Sequence, residues 1–489
     1  MQDNDKALSP PASVNPAQAI AQLELSPHAD HMLALAATVA AICGGLYGYD
    51  TGIISGALIL ITREFQLPSN MQEIVAAAIL AGAVVGALAT GSLSEAIGRR
   101  RSVIVVTIVY MIGAVACALA PSVWSLVAAR FFLGLAVGGS TQVVPMYISE
   151  LAPSDRRGKL VTLFNVAIGI GILLANIVGF TLHEVWTWRE MVAIAAIPAF
   201  IVFVSMFFLP QSPRWAAENI GLHGALESLR RVRNCHRTIH KEVNQIQEVA
   251  ERTRDEDRGW RGLSQPWVRP ALVAALGVAV FTQCGGLEMM IYYAPTFLSQ
   301  AGFGASSALL ASLGVAIVYC VMTLIGCLNV DRIGRRRLML IMCPGSVLSL
   351  IGLGIVFAMH PAPGGFASWL VIAFLLLFIM FNAGGIQVVG WLLGAEMFPL
   401  SMRSQATSLH AATLWGSNLI VTGTALSLVH LLGLGGTMWF YAGVNVASFL
   451  FVLFFVPETA GSSLEDIEAA LKEKRFRPEG ERISILQNA

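Results

Sequence analysis

Pro145-Met-Tyr-Ile-Ser-Glu150-Leu-Ala-Pro153-Ser-Asp-Arg156-Arg157-Gly-Lys159 separates two apolar runs, each long enough to cross a bilayer. Its pattern, Glu-x-x-Pro-x-x-x-Arg, recurs at Glu396-Met-Phe-Pro399-Leu-Ser-Met-Arg403, again between apolar runs. Two further echoes keep the same order. Glu95-x-x-Gly98-Arg99-Arg100 matches Asp331-x-x-Gly334-Arg335-Arg336, and Pro210-Gln211-Ser212 weakly matches Pro457-Glu458-Thr459. Each offset is near half the chain, the signature of a duplicated unit. In a membrane protein, such repeats point to a transporter.

Composition agrees. Of the 489 residues, 56% are hydrophobic and 12% are charged, against roughly 25% charged in an average soluble domain. So much apolar surface needs lipid as its solvent. A net charge of +1 gives no footprint for nucleic acid. The seven cysteines fall mostly inside apolar runs, with no metal-ligand spacing and no disulfide framework. The polar, proline-bearing start lacks a basic segment followed by a short apolar core, so the first apolar run reads as an uncleaved anchor.

With about 20 residues per span, the chain contains about twelve segments. They lie near 32–61, 74–97, 102–120, 123–148, 160–182, 189–209, 271–299, 307–329, 336–358, 367–395, 404–430 and 437–456. In hydrocarbon these must be helices, because only helices and closed barrels satisfy their own backbone. The expected fold is an all-α membrane protein with two pseudo-symmetric six-helix bundles. Residues 1–31 form an N-terminal tail, 32–209 the first bundle, 210–269 a central loop, 270–456 the second bundle and 457–489 a C-terminal tail. Lys and Arg follow the second, fourth, eighth and tenth segments and are missing after the third, seventh, ninth and eleventh. That alternation places both tails and the central loop in the cytoplasm. The central loop reads as a solvated linker with surface helices between Gly221 and Glu251.

The motifs resemble those of the major facilitator superfamily, and within it the sugar porter family of hexose and pentose carriers. The resemblance rests on Gly48-Tyr49-Asp50, Gly98-Arg99-Arg100, Pro145 to Lys159 and Pro210-Gln-Ser-Pro-Arg-Trp215. It continues through Tyr292-Tyr293-Ala294-Pro295, Asp331 to Arg336, Glu396 to Arg403 and Pro457-Glu458-Thr459, covering roughly residues 35–470. It implies proton-coupled uptake of a sugar or polyol by alternating access, with the proton as coupling ion and no other cofactor. A monomer in a bacterial-style inner membrane is the expected setting.

Several charged groups then acquire roles. Glu95, Arg99, Arg100, Glu150, Arg157, Asp331, Arg335, Arg336, Glu396 and Arg403 are able to pair through charged fork bonds and clamp the two halves shut on the inside. A competing reading gives the basic residues no duty beyond the positive-inside rule. Asp50 and Arg130 lie inside apolar helices, where either alone costs roughly 2.5–3.5 kcal/mol on insertion scales. Paired they offset each other, and a proton on Asp50 would release Arg130. The resemblance implies that Asp50 is the protonation site; a structural pair in a facilitator is the alternative.

The solute site is expected around Thr282, Gln283, Glu288 and Tyr292, with Asn165, Trp391 and Asn418. The glycines at 285 and 286 weaken the helix there. Sugar porters typically carry Gln-Gln-x-x-Gly-x-Asn before the paired tyrosines. Here Thr282 replaces the first glutamine and Glu288 the asparagine. Ile172 and Leu414 also stand where polar contacts are common. A carboxylate only accepts hydrogen bonds and carries charge, so Glu288 suits a proton, a donor-rich ligand, a cationic one, or a purely structural role. His410 reads as a helix-packing histidine. Other possibilities are a facilitator, a carrier of a cyclitol, organic acid or amine, and a transporter-like sensor. No nucleophile–base set supports an enzyme.

Overall fold

The computed structural model describes residues 26–153, 157–182, 185–252, 259–300, 303–359, 365–399, 402–462 and 464–478. Among them are helices and no strand. The first bundle comprises α1 (Ala29–Phe65), α2 (Ser69–Ile97), α3 (Arg99–Ala118), α4 (Val123–Leu151), α5 (Arg157–Leu182) and α6, which runs as Trp188–Ala193 and Ala196–Met206. The second comprises α7 (Arg269–Cys284, then Leu287–Gln300), α8 (Ala305–Ile333) and α9 (Arg335–Ala358). It continues with α10 (Phe366–Phe381, a π turn at Asn382–Ile386, then Gln387–Glu396). A helical stretch of 53 residues, Arg403–Phe455, closes the bundle. Its Gly433 has φ 72° and ψ 168°, values that a side chain resists, so the stretch is two spans, α11 (403–432) and α12 (434–455). Among the described residues eleven helices are long and apolar enough to cross a membrane, and this division makes twelve.

Helix packing follows from small residues. In lipid no hydrophobic force draws helices together, so close backbone contact must do so. Gly44, Gly48 and Gly52 recur every fourth residue along one face of α1. A Cβ at Gly44 or Gly48 would collide with the Phe164 or Ile168 carbonyl of α5, and one at Gly52 would lie 2.8 Å from Ala175 Cβ. This stripe seats α1 on α5 and so fixes Asp50, two residues beyond Gly48.

The described part of the central loop carries the helices expected between Gly221 and Glu251, and it is also docked on the first bundle. It holds the helices Pro213–Asn219, Leu222–Val232 and His236–Arg252, and the last two close a small apolar cluster of Leu226, Leu229, Ile239 and Val243. Arg233, only 4% exposed, donates to the Leu151 carbonyl at 2.8 Å and pairs with Glu242 at 2.8 Å. It therefore satisfies an open carbonyl at the end of α4 and fastens the loop to the first bundle. The charge pattern of the loop gave no sign of this.

A test of the stripe is Gly48→Val. Overpacking a close helix contact costs about 1–3 kcal/mol. The variant should melt several degrees lower in detergent, whereas Gly45→Ala, whose nearest neighbour atom lies 3.8 Å away, should not.

Candidate functional site

The end of the bundle that carries the basic clusters is termed the inner end. There the two halves repeat one construction. Arg99 Nε pairs with Glu150 at 3.1 Å and its Nη1 donates to the Ser94 carbonyl. Arg335 Nη2 pairs with Glu396 at 2.7 Å and with Asp331 at 2.7 Å, and its Nη1 donates to the Val330 carbonyl. Arg100 donates to the carbonyls of Met206 and Phe207, and Arg336 to that of Leu453. The Arg100 N–H donates to Gln211 at 2.8 Å, and the Arg335 N–H to Glu458 at 2.8 Å. The weak Pro-Gln-Ser and Pro-Glu-Thr echo thus supplies acceptors for orphan amides at two helix starts. Both turns enter through a glycine of positive φ, Gly98 at 88° and Gly334 at 98°.

These bonds correct the expected clamp. Each described contact of Arg99, Arg100, Glu150, Arg335, Arg336, Asp331 and Glu396 stays within its own half. They are rivets that hold each bundle rigid. Arg403 opens α11, and the side chain of Arg157 and all of Arg156 lie outside the described residues.

Contact across the halves comes from Glu95, one of the expected clamp residues, and from Gln405, Glu73 and Ser427, which the sequence did not single out. At the inner end Gln405 Nε2 of α11 donates to both Glu95 oxygens of α2 at 2.8 Å. At the outer end the N–H and Oγ of Ser427, also on α11, donate to the two oxygens of Glu73 on α2, both at 2.7 Å. Glu73 and Glu95 are twenty-two residues apart on α2, as Gln405 and Ser427 are on α11. At 1.5 Å per residue that is about 33 Å, close to the hydrocarbon thickness. Between the two, Gly91 of α2 abuts Ser408 of α11. The α2–α11 seam is pinned at both ends.

Midway along the molecule, α7 breaks at Gly286, φ 92°. Asn445 of α12 braces the break by donating to the Gly285 carbonyl at 2.8 Å. Beside it Thr282, Gln283, Glu288 and Tyr292 are all buried. Gln387, in the turn that follows the π turn of α10, donates to Glu288 Oε1 at 3.3 Å, and Asn418 of α11 lies beside the same carboxylate. Thr282 packs against Gly390 of α10. Trp391, Trp415 and Tyr47 form a ring-on-edge cluster with centroids 5.0 to 6.0 Å apart. Tyr47 brings the first half into it, and Trp415 Nε1 donates back across the halves to Thr141 Oγ1 at 3.2 Å. Glu288 Oε2, Gln283 Oε1, Gln387 Oε1, Thr282 Oγ1 and both amide atoms of Asn382 are buried without protein partners. So many unsatisfied polar atoms in one apolar bundle make this the candidate place for a polar solute. Asn165 is half-buried and forms no hydrogen bond with this group. His410 rests against Gly394 of α10, as a packing residue does.

Asp50 and Arg130 do not form the expected ion pair. Asp50 accepts a 2.6 Å bond from the Tyr110 hydroxyl, while Arg130 Nε donates to the Val75 carbonyl at 2.7 Å and its Nη2 has no partner. The tyrosine, unremarked in sequence, has taken the place expected for the arginine.

Comparison with known proteins now decides the family. The family model described as sugar (and other) transporter matches residues 36–471. The chain belongs to the sugar porter family. The porter is 37% identical over 441 residues to CsbC of Bacillus subtilis, a probable metabolite transport protein, with 89% of this chain and 94% of the relative covered. It is 37% identical over 444 residues to a D-xylose transporter of Levilactobacillus brevis, again covering 89% and 94%. Among solved structures it resembles the proton:xylose symporter XylE of Escherichia coli bound to 6-bromo-6-deoxy-D-glucose. The TM-score is 0.78 at 27% identity, over 90% of this chain and 99% of that one.

The seam is open to test in a background freed of native cysteines. Ser408→Cys places a thiol at a position 1% exposed. Adding Gln405→Ala, which removes the inner tie, should speed its labelling by a membrane-impermeant maleimide several-fold. Adding Glu150→Gln, which breaks an internal rivet, should lower the melting temperature more than Gln405→Ala does.

Proposed function

We infer that this sugar porter is a secondary active transporter that takes up a sugar or polyol with a proton by alternating access. It would act as a monomer in a bacterial inner membrane, with both termini in the cytoplasm, and would use the proton as its coupling ion. Support comes from the cluster of unpartnered polar atoms at the boundary between the halves, walled by Tyr47, Trp391 and Trp415. Aromatic faces suit the C–H face of a sugar ring, and amide and hydroxyl groups suit its hydroxyls. Relatives named for D-xylose transport and proton:xylose symport agree with that reading.

For coupling, Asp50 is the residue that would carry the proton. It is an acid inside a membrane helix, 5% exposed, and intramembrane carboxylates are expensive enough to mark proton relays. Its partner Tyr110 donates to the charged form and would hold it until a proton arrives. Protonation would weaken that bond and ease α1, seated by its glycine stripe on α5, through the rocking step. Arg130, with one free guanidinium nitrogen, keeps the surrounding potential positive when Asp50 is charged. Rocking would open one end of the α2–α11 seam while the other stays pinned.

Asp50→Asn in proteoliposomes should abolish accumulation driven by an imposed pH gradient while leaving exchange of labelled sugar across the membrane within about threefold of wild type. The separation follows because exchange moves a loaded carrier and needs no net proton step. If the variant still accumulated sugar in response to the gradient, Asp50 would not be the coupling site.

A further inference from the structure

Glu288 stands in the first turn of the second α7 helix, directly after the Gly286 break. A helix N-terminus favours an ionised carboxylate. The residue is 2% exposed, and among the described residues no Lys, Arg or His forms an ion pair with it. A buried charge without a counter-ion is costly. Gln387 satisfies Oε1 at 3.3 Å, and Oε2 faces the site with no partner.

Acceptors predominate among the unpartnered atoms, beside the Thr282 hydroxyl and the Asn382 amide nitrogen, which are able to donate. Gln387 spends its amide donor on Glu288, which leaves Oε1 of Gln387 buried and unpartnered, as is Oε1 of Gln283. With Glu288 Oε2, these are three buried acceptors without a protein partner, one of them on a carboxylate. A sugar hydroxyl answers one acceptor and needs one in return. An ammonium answers three, presents no acceptor of its own and brings the missing charge. Trp391 lies one helical turn beyond Gln387, and Trp415 lies three residues before Asn418, so the aromatic cluster adjoins the carboxylate. Aromatic faces within about 6 Å attract cations as well as rings.

We propose that Glu288 is the counter-ion for a protonated amine on the solute, so that this site takes an amino sugar or an aminocyclitol. Gln387 orients the carboxylate, and the ring of the solute packs on Trp391. The proposal rests on the sugar-uptake reading above and narrows it.

The experiment uses the full-length protein in detergent and the intrinsic fluorescence of its tryptophans, titrated with D-glucosamine against D-glucose and D-galactosamine against D-galactose. At least one amino sugar should bind about tenfold more tightly than its hydroxyl counterpart, and Glu288→Gln should erase that preference, so that amino and neutral sugar bind the variant within about twofold of each other. Glu288→Asp, which keeps the charge, should retain the preference at reduced affinity, and this guards against a glutamine variant that fails to fold. Equal binding of amine and hydroxyl sugars by the wild type, or an equal loss of both in Glu288→Gln, overturns the counter-ion proposal and leaves the sugar reading standing. No response to any sugar, neutral or amino, overturns the sugar reading itself.

Discussion

Hydrocarbon offers no hydrogen bonds, so every polar group inside this bundle must find a partner in the protein or wait for one in the solute. That constraint sorts its charges into three sets. Arg99–Glu150 and Arg335–Glu396 close on themselves inside each half. Glu73 and Glu95 reach across the seam. Glu288, Asp50 and Arg130 remain at the middle, with Asp50 partnered only by a tyrosine and Glu288 only by neutral amides. The first set stays inside each half, the second ties α2 to α11 at both ends, and the third lies where we propose that cargo and proton bind.

Much of this was legible in the sequence, for reasons that can be named. Twelve apolar runs are a direct demand of bilayer thickness, and the breaks between them agreed with the helices to within a few residues, down to the turn at Gly433. The duplicated Gly-Arg-Arg and Glu-x-x-Pro-x-x-x-Arg motifs are local strings that duplication copied whole. The α7 break was visible as Gly285-Gly286. What sequence concealed was partnership. Arg99 has several carboxylates within reach on paper, and only three-dimensional placement shows that it takes Glu150 of its own half. Gln405, Ser427, Tyr110 and Gln387 are ordinary polar residues in apolar helices with no repeated motif around them, so nothing in the string separates them from packing residues. Asp50 with Arg130 is the converse case. Two opposite charges in neighbouring apolar runs invite pairing, yet a carbonyl and a phenol were nearer.

The π turn at Asn382–Ile386 shows how a local backbone change serves the site. Wide turns of this kind often sit at functional positions. This one lies over the α7 break and precedes Gln387, so two irregular backbones face each other where polar groups collect. Gly384 and Gly385 within it abut Met322 of α8 and Met342 of α9. The irregularity is packed on its far side and points its polar residues, Asn382 and Gln387, inward. Irregular backbone at membrane depth is tolerated where protein or a polar cavity surrounds it.

The division of charges also bears on the ease of the transport cycle. Had the arginine–carboxylate pairs joined the two halves, each opening would strip buried ions of their partners, at about 3–5 kcal/mol per broken pair. Confined within each half, they travel with it and cost nothing when it rocks. The bonds between the halves include the end ties, amide or hydroxyl to carboxylate, and the neutral Trp415–Thr141 bond at the middle. The carboxylate bonds are worth roughly 1.5–3 kcal/mol each in net terms, and at the exposed Glu95 water replaces the lost partner. A solute or proton that binds one arrangement a few kcal/mol better than the other is then enough to shift the population between them. Strong internal rivets combined with weak, hydratable end ties give a body that is rigid in its halves and soft at its seam, which is the mechanical condition for alternating access.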